Sequence, residues 1–370
     1  MTRSIACVVG ARPNFVKMGP ILSGLRAADP QLSSLLVHTG QHYDEAMSDL
    51  FFRQLGLPVP DVHLEVGSGS QGEQTAKVLS RYEEWLLKAD PRPAATLVVG
   101  DVNSTLACTL ASVKLGVPAI HVEAGLRSFD RTMPEEINRV LTDAIAELLL
   151  VSEPDGVENL LREGRPESAI RLVGNVMIDV LHAQLPAART LRQPEAMGLA
   201  PRQFVLWTMH RPSNVDVPKT LASLVSTMAR IAERLPVVFP VHPRTRARLE
   251  AAGLWNKLEQ SPGVRLTPPL GYLEFLSLSS EAKLIVTDSG GLQEESAVLE
   301  IPCLTLRKNT ERPVTVSSGT STLVGTDVAL LERLVDDVLA GRYKRGKAPT
   351  LWDGHAGTRI GTEVVHFLNS

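Results

Sequence analysis

Short apolar runs, each followed by a longer stretch of helical period, recur along almost the whole chain. SIACVVG, LLVHTG, ATLVVGD, PAIHVEAG and ELLLVSE are brief and partly β-branched, and they read as buried parallel strands. Between them, PNFVKMGPILSGLRAA, NSTLACTLASVKLG and EEINRVLTDAIA carry the helical spacing. The pattern then starts again with QFVLWTMHR, VVFPVHP, VRLTPPL, KLIVTDSGG and PCLTLRK, separated by helical segments such as KTLASLVSTMARIAERL and LQEESAVLE. Such alternation restricts the chain to the α/β class, with parallel sheets covered by helices on both faces.

A chain of 370 residues is too long for one compact core, so two similar α/β domains are expected. The polar, Ala/Pro/Arg-bearing stretch 183–202 reads as a connector. We expect an N-terminal domain over 1–176, a C-terminal domain over 177–355, and a last helix, 356–370, packing back on the N-terminal domain. Ligands of open α/β sheets bind beyond the carboxyl ends of the strands. Two such domains facing each other predict an interdomain cleft between two rows of strand ends.

Composition excludes several partners. Lys and Arg number 38 against 41 Asp and Glu, a net charge of −3, and aromatics are only 4%. Neither a basic stripe nor a base-stacking platform is present, so no nucleic-acid partner is expected. No apolar segment approaches the ~20 residues of a membrane span. The first apolar run is too short for a signal peptide, which points to the cytoplasm. Cys7, Cys108 and Cys303 lack metal spacing and read as small core residues. His38, His42 and Asp44 do not follow a metal-site spacing, so no metal is expected.

The informative residues stand where strands stop. GARPNFVK places Arg12 and Lys17 around a helix start, a suitable place for an anionic group. Neither a Walker A loop nor G-x-G-x-x-G is present, so no nicotinamide cofactor is expected. VVGDVNSTLA puts Asp101 at a strand end, with Asn103 and Ser104 as N-cap candidates. VEAGLRSFDRTMPEEINR crowds Glu123, Asp130, Glu135 and Glu136 with Arg127, Arg131 and Arg139. Pro134 and the two following acids are ordinary helix-start chemistry, and Arg139 is spaced for an ion pair with Glu135. In the second half His210 and His242 follow strands. TDSGGLQEES offers a glycine turn, Ser289–Gly290–Gly291, opening a helix that holds Glu294 and Glu295. Its amides suit a diphosphate and its carboxylates a ribose diol. Arg307, Lys308 and Arg312 follow the next strand. One half thus offers acids and the other a diphosphate cradle, as a nucleotide-activated substrate would need.

These stretches resemble a known family. GARPNFVKMGP, TGQHYDEAM, GDVNSTLA, HVEAGLRS with MPEEINR, the MHR of WTMHRP, DSGGLQEES and TERPVTV are similar, in order, to the motifs of the non-hydrolysing UDP-N-acetylglucosamine 2-epimerases. The resemblance implies a GT-B fold of two Rossmann-like domains, a homodimer, and neither nicotinamide nor metal in the chemistry. It places the catalytic acids and base on Asp101, Glu123, Glu135 and His210. It places substrate and UDP contacts on Arg12, Lys17, Arg139, His242, Phe275, Ser289, Gly290, Gly291, Glu295 and Arg312. The short SFDRTM segment and QHYD depart from many bacterial members. They are similar to the branch that includes epimerases of UDP-2,3-diacetamido-glucuronic acid.

The implied chemistry suits these residues. C2 of a 2-acetamido sugar has no neighbouring carbonyl to acidify its proton. Departure of UDP from C1 develops positive charge there, which acidifies the C2 proton for a carboxylate. Return of a proton and of UDP on the opposite face inverts C2. A GT-B glycosyltransferase, a hydrolysing epimerase and a non-catalytic nucleotide-sugar sensor are the competing readings.

Overall fold

The computed structural model describes residues 3–40 and 58–370, the side chains of Arg12 and Pro13 excepted. The chain divides into two compact units, Met1–Val180 with Thr350–Ser370, and Leu181–Pro349.

In the first unit the strands are β1 (Ser4–Val9), β2 (Ser33–His38), β3 (Val62–His63), β4 (Ala95–Val99), β5 (Ala119–Ala124), β6 (Leu148–Val151) and β7 (Ile170–Leu172). The longer helices are α1 (Arg12–Ala28), α2 (Gln71–Lys88), α3 (Asn103–Lys114), α4 (Pro134–Ile145), α5 (Pro154–Arg162) and α6 (Val176–Thr190). The strands form one parallel sheet in the order β3-β2-β1-β4-β5-β6-β7. β1, β4, β5 and β6 are buried along their full lengths, because helices cover both faces. β3 and β7, only two and three residues long, carry too few residues for a periodic signal.

The second unit holds β8 (Val205–Trp207), β9 (Val237–Pro240), β10 (Val264–Thr267), β11 (Leu284–Thr287), β12 (Cys303–Thr305) and β13 (Ser321–Leu323). Its helices include α7 (Pro218–Ala232), α8 (Pro243–Ala251), α9 (Tyr272–Glu281), α10 (Gly290–Val298) and α11 (Val328–Leu339). The sheet order is β10-β9-β8-β11-β12-β13. Both sheets therefore reverse their winding next to their first strand, at β1/β4 and at β8/β11. A reversal of that kind opens a crevice at the carboxyl ends of the two strands.

Two local readings are corrected. Residues 183–190, expected in a connector, continue α6 through Pro186. Asn103 and Ser104 are not N-caps: Val102 takes that place, and they are the first helical residues with side chains turned to other elements.

The last helix, α12 (Ala356–Asn369), packs on α1 within the first unit. Asp179 caps its start, accepting from the amides of Ala356 (3.0 Å) and Gly357 (2.7 Å). The two helices touch backbone to backbone. A Cβ on Gly357 would stand 2.4 Å from the carbonyl oxygen of Pro20, and one on Gly361 2.2 Å from that of Gly24. Gly357→Ala is therefore expected to cost about 1–3 kcal/mol by overpacking. A denaturant midpoint equal to that of the parent chain would show that the helices slide apart without cost.

Candidate functional site

In the first unit the ends of β4 and β5 and the first turns of α1 converge beside Gly100. Its φ of +73° favours glycine. A Cβ there would lie 3.5 Å from Asn14 Nδ2, 3.5 Å from Glu123 Oε2 and 3.7 Å from Lys17 Nζ, so α1, β4 and β5 meet at this point. β5 pairs with β6 as Val122↔Leu150 and then Ala124↔Val151, which leaves Glu123 as the extra residue of a bulge. Glu123 has φ +70°, a strained conformation for a side chain without local turn chemistry. The bulge keeps its carboxylate buried and in a close ion pair with Lys17. Lys17, expected to face an anionic ligand, is thus engaged with an acid of its own chain.

Asp101 follows Gly100 with its side chain about 32% exposed, and its carboxylate forms a close ion pair with Arg139. Asn138 Nδ2 donates to the Asp101 carbonyl (2.9 Å) and to Asn103 Oδ1 (3.1 Å). Arg139 also reaches Glu136 (2.9 Å) and not Glu135, because the buried Glu136 lies on the inner face of α4. That corrects the expected Glu135–Arg139 pair. Glu136 accepts from the amides of Ser128 and Phe129 and from the Ser128 hydroxyl, each at 2.9 Å, which fixes the loop entering α4. Glu135 lies on the exposed side of α4.

Beneath these acids lies a buried polar network without a sequence signal of its own. His121 Nδ1 meets Asp143 Oδ1 at 2.6 Å, and its Nε2 meets the Gly100 carbonyl at 2.8 Å. Asp143 Oδ2 accepts from the Gly125 amide (3.0 Å) and from Arg127 (2.7 Å), and Arg127 forks onto Glu163 (2.8 and 2.6 Å). Burial works against the Asp143 charge, yet His121 and Arg127 hold it below the usual carboxylate range. Asp143 thereby anchors the turns on either side of Asp101 and Glu123. Arg127, quoted among the crowded charges, supports this turn from inside and is 2% exposed.

In the second unit His210, His242, Phe275, Ser289, Gly291 and Glu295 line one cavity of about 330 Å³, walled further by Tyr272 and Leu292. The ends of β8, β9 and β11 open onto it. Asp288, missed in the sequence because it directly precedes the glycine turn, is fully buried beneath it. Its carboxylate accepts from the His210 amide (3.1 and 2.9 Å), the Arg211 amide (2.9 Å) and Asn214 Nδ2 (2.9 Å). His210 Nδ1 meets Asp288 Oδ1 at 2.9 Å. Burial opposes the Asp288 charge, but His210 and the Arg211 amide keep its carboxyl below the usual range. An N–H on His210 Nδ1 leaves Nε2 to give or take a proton.

The glycine turn opens α10 with Ser289 as N-cap. A Cβ on Gly291 would meet nothing within 4 Å, so a ligand can approach the first-turn amides. Tyr272 donates to Glu295 (3.1 Å). Burial pushes the Glu295 carboxyl up to about 7, with Tyr272 opposing and Glu294 adding to the rise. Arg312 pairs with Glu294 (2.8 Å), and Arg307 is buried in a two-bond pair with Glu311 (2.8 and 2.7 Å). His242 caps α8, its Nδ1 accepting from the Arg244 amide at 3.2 Å, and its ring lies 5.7 Å from that of His210.

His42 and Asp44, together with the QHYD segment and the Arg12 side chain, lie outside the described residues. His38 packs against Phe15 at 5.1 Å, and burial lowers it to about 4. Among the described residues no group of three or more His, Cys, Asp or Glu is arranged to hold a metal ion. None of their helices is long and apolar enough to cross a membrane. The three cysteines are buried, and burial pushes the Cys7 thiol up to about 12.

Two doubly flanked parallel sheets, with carboxylates at the strand ends of one and a cavity of about 330 Å³ at those of the other, belong to an isomerase of GT-B fold. The sequence profile described as UDP-N-acetylglucosamine 2-epimerase matches residues 26–364, and the chain belongs to that family. It is 42% identical over 362 residues to the UDP-N-acetylglucosamine 2-epimerase of Methanococcus maripaludis, covering 96% of each chain. It is 43% identical over 325 residues to the UDP-2,3-diacetamido-2,3-dideoxy-D-glucuronate 2-epimerase of Pseudomonas aeruginosa, covering 87% of this chain and 88% of the other. The crystal structure of Methanocaldococcus jannaschii UDP-GlcNAc 2-epimerase in complex with UDP-GlcNAc and UDP superposes with a TM-score of 0.86. Its sequence identity is 40%, and the match covers 98% of this chain and 99% of that one.

Proposed function

We propose that the chain interconverts UDP-GlcNAc and UDP-ManNAc by eliminating UDP and adding it back. The observation that carries this reading is Glu123, a carboxylate forced onto a bulge in a left-handed conformation beside Asp101 and paired with Lys17. Strain of this kind persists where the surroundings hold it, and it clusters at reactive sites. The C1–O bond breaks and its electron pair leaves with UDP. A carboxylate of the Asp101, Glu123 and Glu135 set takes the C2 proton, giving a 2-acetamidoglucal with a C1–C2 double bond. Protonation of C2 on the other face and re-addition of UDP at C1 give the epimer.

In this reading residues 177–355 hold UDP. Phe275 packs on uracil, the Ser289–Gly290–Gly291 amides and Arg312 hold the diphosphate, and His210 protonates or hydrogen-bonds the leaving oxygen. His242 and Arg12 complete the nucleotide contacts, and Lys17 and Arg139 hold the acids of the 1–176 domain in place. The proposal includes a homodimer in the cytoplasm serving cell-surface polysaccharide precursors, as in the family it resembles.

The test is proton NMR of the purified chain with UDP-GlcNAc in deuterium oxide. UDP-ManNAc carrying deuterium at C2 is expected. A product that keeps its original C2 proton would rule out exchange with solvent, and free ManNAc would indicate hydrolysis. The Pseudomonas relative favours a second substrate, the diacetamido-uronate, to be assayed beside the first.

Glu295 supplies a pH test. With its carboxyl at about 7 in the folded chain and lower when unfolded, its effect is to reduce stability as pH rises from about 4.5 to about 7. A ribose diol donating to the carboxylate favours the ionised form. UDP is therefore expected to bind more tightly as pH rises through 7, with proton release below it. Calorimetry in buffers of different ionisation enthalpy reads that proton directly; equal heats in all buffers would remove Glu295 from the ribose contact.

A further inference from the structure

A cavity of about 470 Å³, larger than the proposed nucleotide pocket, lies at the amino-terminal ends of strands in the second sheet. Lys283, Pro302 and Thr320, which line it, directly precede β11, β12 and β13, and Arg202 lies shortly before β8. His210 and Ser289 follow the far ends of β8 and β11, so at least a strand length of roughly 10 Å separates the two.

Five cations line this cavity (Arg202, Lys283, Lys344, Arg345 and Lys347) against one acid, Glu300. Among the described residues none of the five has a carboxylate at ion-pair distance. Arg202 reaches only the Ala282 carbonyl (3.4 Å), and Lys344 the Val316 carbonyl (2.6 Å). Other cations of this unit do reach acids. Arg342, beside the cavity, pairs with Asp337 (3.0 Å), Arg246 with Glu250 (2.9 Å) and Arg248 with Asp216 (2.9 Å). Several exposed cations elsewhere in the unit thus find acids, whereas the five that line this concavity have one acid, Glu300, among them and no ion pair.

The cavity is also built rather than loose. The strap from Gly341 to Lys347 is held by the Tyr343 hydroxyl on Thr322 Oγ1 (2.6 Å) and the Thr320 carbonyl (2.9 Å), and by the Lys347 amide on Ser318 (2.9 Å). A Cβ on Gly346 would stand 2.3 Å from the backbone of Gly319, so the strap seats directly on the segment before β13. Partial burial lowers Lys344, whose ammonium reaches a backbone carbonyl and no acid. A concave wall of one sign concentrates counter-ions.

We propose that this cavity binds a multiply charged phosphate anion, at a site separate from the nucleotide pocket. Two sources carry that chemistry, a soluble polyphosphate-bearing molecule and a phospholipid headgroup. The test titrates inorganic tripolyphosphate into the full chain by calorimetry at low salt, with the double variant Arg345→Glu, Lys347→Glu in parallel. Saturable binding that weakens by about tenfold or more in the variant, and also on raising salt, is the expected result. Lys283→Gln, on a different segment, is expected to weaken it too and covers a failure of the double variant to fold. Sedimentation with vesicles of phosphatidylglycerol and phosphatidylcholine separates the sources. Pelleting that tripolyphosphate reverses assigns the headgroup, and tripolyphosphate binding without pelleting assigns the soluble anion. No saturable binding by the parent chain, or equal binding by the variants, overturns the proposal.

Discussion

Glu123→Gln is expected to lower kcat by ~10²–10⁴-fold, the usual contribution of a positioned proton-transfer group. The amide keeps an oxygen for Lys17, so the bulge and the fold survive, but it cannot take a proton from carbon. Because the cavity proposed to hold UDP belongs to the other unit, UDP affinity is expected to change little. Deuterium incorporation at C2 should fall with kcat, since both pass through the same proton removal. Kinetics, UDP titration and circular dichroism on one preparation separate these effects. Turnover near that of the parent chain would take Glu123 out of the chemistry, and the strain at its backbone would then need a structural reason.

Asp288→Asn is the second large effect. Its carboxylate faces only donors: two amides, Asn214 Nδ2 and the His210 ring. Asn places an NH₂ where one of these donors points. The expected stability loss is about 1–3 kcal/mol, that of a buried group left without its partner. The expected kcat loss is larger, at least ~10-fold and up to ~10⁴-fold if His210 adopts the other tautomer. The decisive comparison is kcat against thermal midpoint. A lowered midpoint with kcat unchanged would make Asp288 a purely structural anchor. A collapsed kcat with UDP still bound would assign it the orientation of His210.

Much of the architecture was legible in the sequence because burial imposes a period. A strand covered on both faces must be apolar throughout, so SIACVVG and ELLLVSE announced β1 and β6, and the repeated alternation announced two parallel sheets. Residues that immediately follow such runs, among them Asp101, Glu123, His210 and Ser289, were identifiable because a strand end is where a side chain leaves the sheet. β3, β7 and β13 escaped notice because they are two or three residues long and, unlike the equally short β8 and β12, were not picked out by a distinct apolar run. The Glu135–Arg139 pair failed for a different reason. Spacing reports which residues share a helix face, but not which face the core covers, and the core takes Glu136.

The amino-acid order by itself thus determined the class of each segment and the residues available at each strand end, because those depend only on local period and turn chemistry. Tertiary structure alone decided which ends meet. The β1/β4 and β8/β11 reversals bring together residues far apart in the chain. Lys17 meets Glu123 across 106 positions, and Asp288 holds His210 across 78. The His121–Asp143 network likewise exists only once the sheet closes over it, since a buried charge is tolerated only when its partners arrive from other elements.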